Sequence, residues 1–422
     1  MTETGGRWTR RAAMIGGGVV LAGGAAVLAS RKPDRGGAHS DYFLALSTAL
    51  RQAGVAHPVL VVDQARLDQN IAAARDALRP SGLPLRVVVK SLPAANLIDH
   101  VASGMTTNRF MVFNGAMLET MAARRDGDLL LGKPLPALQF AEILDKIGAE
   151  TASRVQWLID TPARLRQYAE IAATRNATVR ANMEIDVGLH RGGFADSAAL
   201  ASAIDLAQSL ANVSVSGLMG YDPHVPKMSD PDQAYAASQA LYRAAIDVIG
   251  AKLGVEGMTF NGAGSPTYTR HAQGTVANEV SVGSAFVKPV DFDTPALARH
   301  TPASFIATPV IKATSRMALP GNEWLTGSLS FMDPNAARAF FIYGGHWLAT
   351  PESPPGLQFS DLYGRSSNQE MLTGSARVAL TPDDYVFFRP NQSEAVFLQF
   401  GDIALFDGEK ITGYWPTFPV SA

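Results

Sequence analysis

The sequence predicts an α/β fold: a (β/α)8 TIM barrel followed by an all-β domain. Three observations carry this. Eight β-rich runs, mostly separated by helical stretches, fall between residues 85 and 286, which is the strand count of such a barrel. Beyond about Pro302 helical periodicity gives out, and short apolar runs are punctuated by Gly, Pro, Asn and Asp, as in an all-β domain. No GxGxxG opens the first helix, which places a doubly wound open sheet second. The expected organisation is a leader over 1–35, a linker and start of the body over 36–57, the barrel over 58–300 and the β domain over 301–422.

The leader comes first. Ala12–Ser30 runs nineteen residues without a charge, directly after Arg10 and Arg11. A basic segment followed by an apolar one is the pattern of an export signal and stands outside the fold. The arginine pair resembles the twin-arginine type, and five glycines keep the stretch only weakly hydrophobic. An uncleaved membrane anchor is the alternative, because nineteen residues just span a bilayer. Either way the body is expected outside the cytoplasm, periplasmic or anchored facing the periplasm. The twin-arginine export machinery is then a partner.

The body begins after a polar stretch from about Pro33 to Ser40. A short strand, Pro58–Val62, runs into a segment where Leu67, Ile71 and Leu78 recur at helical spacing. The eight barrel strands are expected at 85–90, 109–113, 128–131, 155–159, 178–185, 213–219, 258–261 and 279–286. In the C-terminal tract AFFIYGG, ARVAL, YVFF, AVFLQF and DIALF read as strands, and His57–Val62 is a candidate to pair with them.

Composition narrows the chemistry. The chain has 422 residues, 36 basic against 38 acidic, a formal charge of -2 and no cysteine. Disulfides, thiolate metal sites and a cysteine nucleophile are therefore excluded. A near-neutral balance argues against a general nucleic-acid binder. Residues 1–35 hold six basic and two acidic side chains, a net of +4, so the remainder carries -6 of the -2 total.

The active site of this fold lies at the C-terminal ends of the strands. Lys90 ends the apolar run LRVVV. Burial there favours loss of its proton and would make it an amine nucleophile; the alternative is a lysine that marks the strand's solvent end. Glu184, Asp186, His190 and Arg191 crowd the end of the fifth strand beside two glycines, a reactive cluster or a solvated ion-pair loop. The sixth strand ends in Tyr221 and His224; a lone histidine is usually structural or on the surface. After strands seven and eight come NGAGSPTY and VGSAF. Their glycines let backbone N–H groups approach an anion, and Ser265, Thr267 and Ser284 add hydroxyls. These two loops form the recurrent phosphate site of such barrels.

HPVLVVDQARLDQNI, RVVVK, EIDVGLHRGG, GYDPH, NGAGSPTY and EVSVGSAF occur in this order. The order resembles that of D-threonine aldolases and D-serine dehydratases, pyridoxal phosphate (PLP) enzymes with an alanine-racemase-type barrel. The resemblance runs from about Tyr42 to Thr417. It implies that Lys90 is the Schiff-base lysine holding PLP, that Arg191 lies near the cofactor ring, and that Tyr221 contacts the cofactor. It implies a phosphate cradle from Asn261, Gly262, Gly264 and Ser265 with Gly283 and Ser284. It also implies a homodimer in which the β domain of one chain closes the other's barrel mouth.

The resemblance has one departure. Those enzymes carry a metal-binding His and Cys in the C-terminal domain, and the corresponding tracts here, QSEAVFLQFGD and TGYWPTFP, contain neither. No divalent metal is therefore expected. His346 in YGGHW is a candidate for substitute chemistry, against a structural role. The reading is an exported PLP enzyme acting on a small D- or β-hydroxy-amino acid, a lyase first and a racemase second, with Lys90 once displaced a candidate acid/base. A non-catalytic PLP-binding or homeostasis protein is the alternative class, against which the β domain speaks. A barrel that has lost its cofactor is the other, against which Lys90 and the glycine cradle speak.

Overall fold

The computed structural model describes residues 31–124, 127–318, 321, 326–360 and 363–419. Residues 1–30 of the expected leader lie outside them. Among the described residues no helix is long and apolar enough to cross a membrane.

Eight short strands are almost wholly buried, the signature of parallel strands covered on both faces. They are β2 (Leu85–Val88), β3 (Arg109–Val112), β4 (Asp128–Leu131), β5 (Gln156–Ile159), β6 (Val179–Ile185), β7 (Val213–Gly220), β8 (Thr259–Gly262) and β9 (Glu279–Val282). Each pairs in parallel with the next, and β9 closes on β2. The expected (β/α)8 barrel is what the chain forms. Two strands end earlier than their apolar runs. β2 stops at Val88 and a 3-10 turn takes Val89–Ser91; β9 stops at Val282 and a second turn takes Ser284–Phe286. Both runs continue apolar because the turns are themselves buried.

The surrounding helices start where the sequence supplies caps. Strand β1 (Val59–Asp63) leads into α2 (Gln64–Leu78), and Asp63 accepts the Arg66 N–H at 2.9 Å. Helices α3 (Ala95–Gly104), α4 (Gly115–Arg124) and α5 (Ala137–Arg154) follow, then α6 (Pro162–Ala173), α7 (Ser197–Ser209) and α8 (Pro231–Leu253). Thr161, Asp196 and Asp230 each accept a backbone N–H three residues on, and Pro162 and Pro231 occupy the first turn. Side-chain caps and a proline that has no N–H to lose both suit a helix N-terminus.

The barrel interior is charged at its N-terminal end. Arg86 is fully buried, with Nε 2.6 Å and Nη2 3.0 Å from Glu279 and Nη2 2.7 Å from Asp128. Arg109 donates at 2.5 Å to the Glu279 oxygen that also accepts from Arg86 Nη2. Burial alone would lower the Arg86 pKa, and the two carboxylates more than reverse that. Asp128, raised by burial, is likewise held below the usual range by Arg86 and Gln156.

The chain divides into two compact units. One holds the barrel with residues 348–350 and 389–422. There β1 pairs in parallel with β16 (Ile403–Phe406), itself antiparallel to β17 (Ile411–Trp415). The pairing expected of His57–Val62 is thus made with the DIALF run, and residues 389–422 group with the barrel. The other unit comprises residues 31–58, 307–347 and 351–388. It carries α1 (Asp41–Gln52) and a mostly antiparallel sheet of β10 (Ser304–Ala313), β11 (Arg338–Tyr343), β13 (Gln358–Phe359) and β14 (Gln369–Gly374). β15 (Tyr385–Pro390) pairs with β10 and with β12 (Ala349–Ser353).

Three features of the C-terminal tract depart from the sequence reading. ARVAL is a turn: the Ser375 hydroxyl accepts the Arg377 N–H and the Ser375 carbonyl accepts that of Val378, both at 3.1 Å. AVFLQF is also a turn, because the Ser393 carbonyl takes the N–H groups of Val396 and Phe397 at 3.1 and 2.9 Å. The neighbouring Val396 and Phe397 are both buried, which a strand with one buried face cannot do. A seven-residue helix, α9 (Thr326–Met332), stands where no helical pattern was expected.

Candidate active site

The C-terminal mouth of the barrel opens into a cavity of about 570 Å³. The turn after β2 delivers Lys90 to it, with the side chain 40% exposed. Lys90 is thus not the buried amine that the apolar run implies. Its Nζ lies 3.3 Å from Glu394 Oε1 and 4.9 Å from the centre of the Phe113 ring. Glu394 also accepts from the Ser91 hydroxyl at 2.8 Å, and Ser91 is met in turn by the Ser284 hydroxyl at 3.1 Å. Burial raises the Glu394 pKa, but the Lys90 ammonium, its own backbone N–H and Ser91 together bring it below the usual carboxylate value.

The end of β6 divides its cluster in two. Glu184 and Arg191 line the cavity. Burial raises the Glu184 pKa, Asp160 and Asp186 add to the rise, and Arg191, 3.9 Å away, opposes it. Asp186 and His190 shape the loop instead. Asp186 accepts the backbone N–H groups of Gly188 and His190, both at 2.9 Å, and its other oxygen meets His190 Nδ1 at 2.7 Å. These bonds hold the Asp186 pKa down against its burial.

Arg191 lies over the Tyr221 ring, 5.0 Å from its centre. That ring covers Gly264: a Cβ there would sit 2.5 Å from Tyr221 Cε2. Burial raises the Tyr221 pKa against the opposing Arg191 charge, so the phenol keeps its proton and can donate it. His224 sits beside Gly188 and does not line the cavity.

Asn261, Gly264, Ser265, Gly283 and Ser284 all reach the cavity wall. Ser265 Oγ accepts the N–H groups of Ala285 and Gly283 at 3.0 and 3.4 Å, so its own proton is left for a ligand. Gly283 faces Ser91 and Val88, each 2.8 Å from where its Cβ would stand. Gly262 and Thr267 lie behind this wall. Gly262 packs against His271 and Ala277. His346 lies in the sheet unit, where its backbone N–H donates to Glu370 at 2.8 Å.

Glu394, Lys133, Asp160 and Phe113 line the cavity too, and none stood out in the sequence. Glu394 carried one usable signal, the Ser-Glu pair before two adjacent buried apolar residues, which marks a capped turn and not a strand.

A model of the alanine racemase N-terminal domain matches residues 62–289. The chain belongs to the alanine racemase N-terminal domain family. No curated protein matches it significantly in sequence. Among solved structures, D-threonine aldolase from Filomicrobium marinum aligns at 17% identity and a TM-score of 0.70, covering 86% of this chain and 96% of its own. D-threo-3-hydroxyaspartate dehydratase from Delftia sp. HT23 aligns at 16% and 0.66, covering 86% and 98%. Alanine racemase from Bacillus anthracis with bound L-Ala-P aligns at 12% and 0.65, also covering 86% and 98%. These likenesses establish the shared fold.

Membership of the family implies PLP, and the residues fit it. Gly264 and Gly283 let the two loops pack directly on Tyr221 and on Ser91 and Val88, where any side chain would collide, the Ser91, Ser265 and Ser284 hydroxyls line the same wall, and one lysine amine faces the same space. Lys90 would hold the cofactor covalently, and the Ser265 and Ser284 hydroxyls, beside Gly264 and Gly283, its phosphate. Gly264→Ala is expected to push the Tyr221 ring aside at about 1–3 kcal/mol, raising the PLP Kd by roughly 5–150-fold. Titration of the purified chain with PLP measures it; an unchanged Kd means that the ring moves freely.

Proposed function

We propose that this chain is a PLP-dependent lyase acting on a small D- or β-hydroxy-amino acid. The observation that carries the reading is Lys90 facing Glu394 at 3.3 Å in the same cavity as the glycine and serine cradle. When bound, the cofactor supplies an electron sink for charge developing at the substrate Cα.

The chain's own residues divide the proton work. Lys90, paired with Glu394, can pass a proton to or from the substrate. Of the three carboxyls that line the cavity, two have been pushed apart: Glu394 is held below the usual range, whereas burial pushes Glu184 above it. Such a split assigns base and acid. Glu394 takes the proton of a β-hydroxyl, and Glu184 can return one. That pairing favours lyase chemistry and needs no metal. Arg191 and Lys133 offer cationic partners for a substrate carboxylate.

The test is a panel of D- and L-amino acids with and without a β-hydroxyl, incubated with the PLP-loaded chain and followed by chiral product analysis. An aldehyde with glycine, or a keto acid with ammonia, supports the lyase. The enantiomer alone makes the chain a racemase, and no turnover with bound PLP makes it a binding protein. Chelator treatment is expected to leave the rate within about twofold; loss restored by manganese or zinc overturns metal independence.

The reading extends to export through the twin-arginine route and to a homodimer, supported by Arg10 and Arg11 ahead of the apolar leader and by the family resemblance. Lysine at both arginine positions is expected to abolish periplasmic delivery; unchanged delivery argues for another route.

A further inference from the structure

Behind the loop after β8 lie three buried polar side chains that the proposed chemistry does not use. Asp222, Thr267 and His271 are each at most 2% exposed. One oxygen of Asp222 accepts the Thr267 hydroxyl at 2.7 Å, and the other meets His271 Nε2 at 2.9 Å. With its proton committed to Asp222, Thr267 Oγ1 presents a lone pair, and the Gly264 N–H donates to it at 3.2 Å. The Gly264 carbonyl takes the N–H groups of Thr267 and Tyr268, both at 3.0 Å. Gly264 is thus clamped at both ends of its peptide units, and Ser265 follows directly. On the far side, His271 Nδ1 meets Thr275 Oγ1 at 2.9 Å, and Thr275 donates to Gln239 of α8 at 3.1 Å.

The placement of Asp222 is informative because its charge has the wrong sign. A carboxylate just behind an anion-binding loop repels the anion, so electrostatics alone gives no reason for it. Its two oxygens face Thr267 and His271, and Asp222 does not line the cavity. What it supplies is geometry: it fixes which way the Thr267 hydroxyl points, and through Gly264 where the Ser265 hydroxyl stands.

We propose that Asp222 and Thr267 are positioning residues that set the phosphate-binding conformation of Gly264–Ser265, with His271 locking the carboxylate in place. This rests on the reading that the loop holds the cofactor phosphate. It predicts an effect confined to the phosphate end of the ligand.

The experiment titrates the full chain with PLP and, separately, with pyridoxal, which lacks the phosphate. Thr267→Val is expected to raise the PLP Kd at least tenfold, from two lost hydrogen bonds that leave an Asp222 oxygen and the Gly264 N–H unpaired. Pyridoxal affinity should stay within about twofold, and Thr267→Ser, which restores the hydroxyl, should return PLP affinity to within about threefold. Asp222→Asn, similar in size, is the second variant and should weaken PLP in the same selective way; it decides the matter if Thr267→Val does not fold. Wild-type PLP affinity in these variants, or an equal loss of pyridoxal affinity, overturns the proposal. Ser265→Ala separates the two levels. If it weakens PLP while Thr267→Val and Asp222→Asn do not, the cradle stands and the positioning role falls. If Ser265→Ala also binds PLP as wild type does, the phosphate reading of the loop falls with it.

Discussion

Lys90→Ala is expected to lower turnover on the order of 10³-fold or more, because it removes both the covalent anchor and a proton carrier. The visible absorption of the bound cofactor should disappear, and borohydride reduction should no longer fix PLP to the peptide containing residue 90. Absorption that survives the substitution would place the attachment elsewhere. The same variant has a signature in stability. With Lys90 present, the Glu394 pKa is depressed, so its contribution to stability is full above the ordinary carboxylate range and is lost as pH falls through the lowered value. Without the ammonium, the Coulomb attraction that lowers it is gone and burial pushes it up. The contribution near neutral pH is then smaller, because only the backbone N–H and Ser91 still oppose burial. Melting temperatures of the two proteins measured between pH 4 and 7 should therefore converge toward acid; parallel curves would mean that the pair is too wet to matter.

Glu279→Gln is expected to cost about 3–5 kcal/mol, the range for breaking a buried pair by removing one charge. Glu279 is the meeting point of Arg86, Arg109 and Asn261, at 2.5–3.0 Å. The amide presents an N–H where a carboxylate oxygen received one, and leaves the buried Arg86 with Asp128 as its remaining charged partner. For a domain of this size the loss lowers Tm by roughly 6–20 °C. Because Asn261 reaches the cavity wall, cofactor affinity should fall as well. A shift of less than 2 °C would show that the barrel interior admits enough water to pay the difference.

The barrel was legible because its signal is local and repeated: a β-rich run at 155–159 or 178–185, then a helical stretch, then the next run. Lys90, Arg191, Tyr221, Ser265 and Ser284 were legible for a related reason, since the ends of barrel strands converge by topology alone. What escaped depended on contacts across long sequence separations. Glu394 comes to Lys90 from the edge of a run whose apolar density suggests a strand, and the Ser393-Glu394 pair is the one local sign that it is a turn. Gly262 and Thr267 lie within the expected cradle string, yet one face of that loop turns to the cavity and the other to His271, a distinction made by backbone angles. Arg86 lies inside an apolar run, and only closure of the barrel shows that its partners are Glu279 and Asp128.

The bond from Ser91 to Glu394 joins residues 303 positions apart. During synthesis the lysine turn leaves the ribosome roughly 15–60 s before the carboxylate that faces it. Strand β16, which pairs with β1, is made still later, and the bridge from Ala94 to Thr417 closes later again. A nascent barrel therefore presents its amine without the counter-charge until Glu394 has been made.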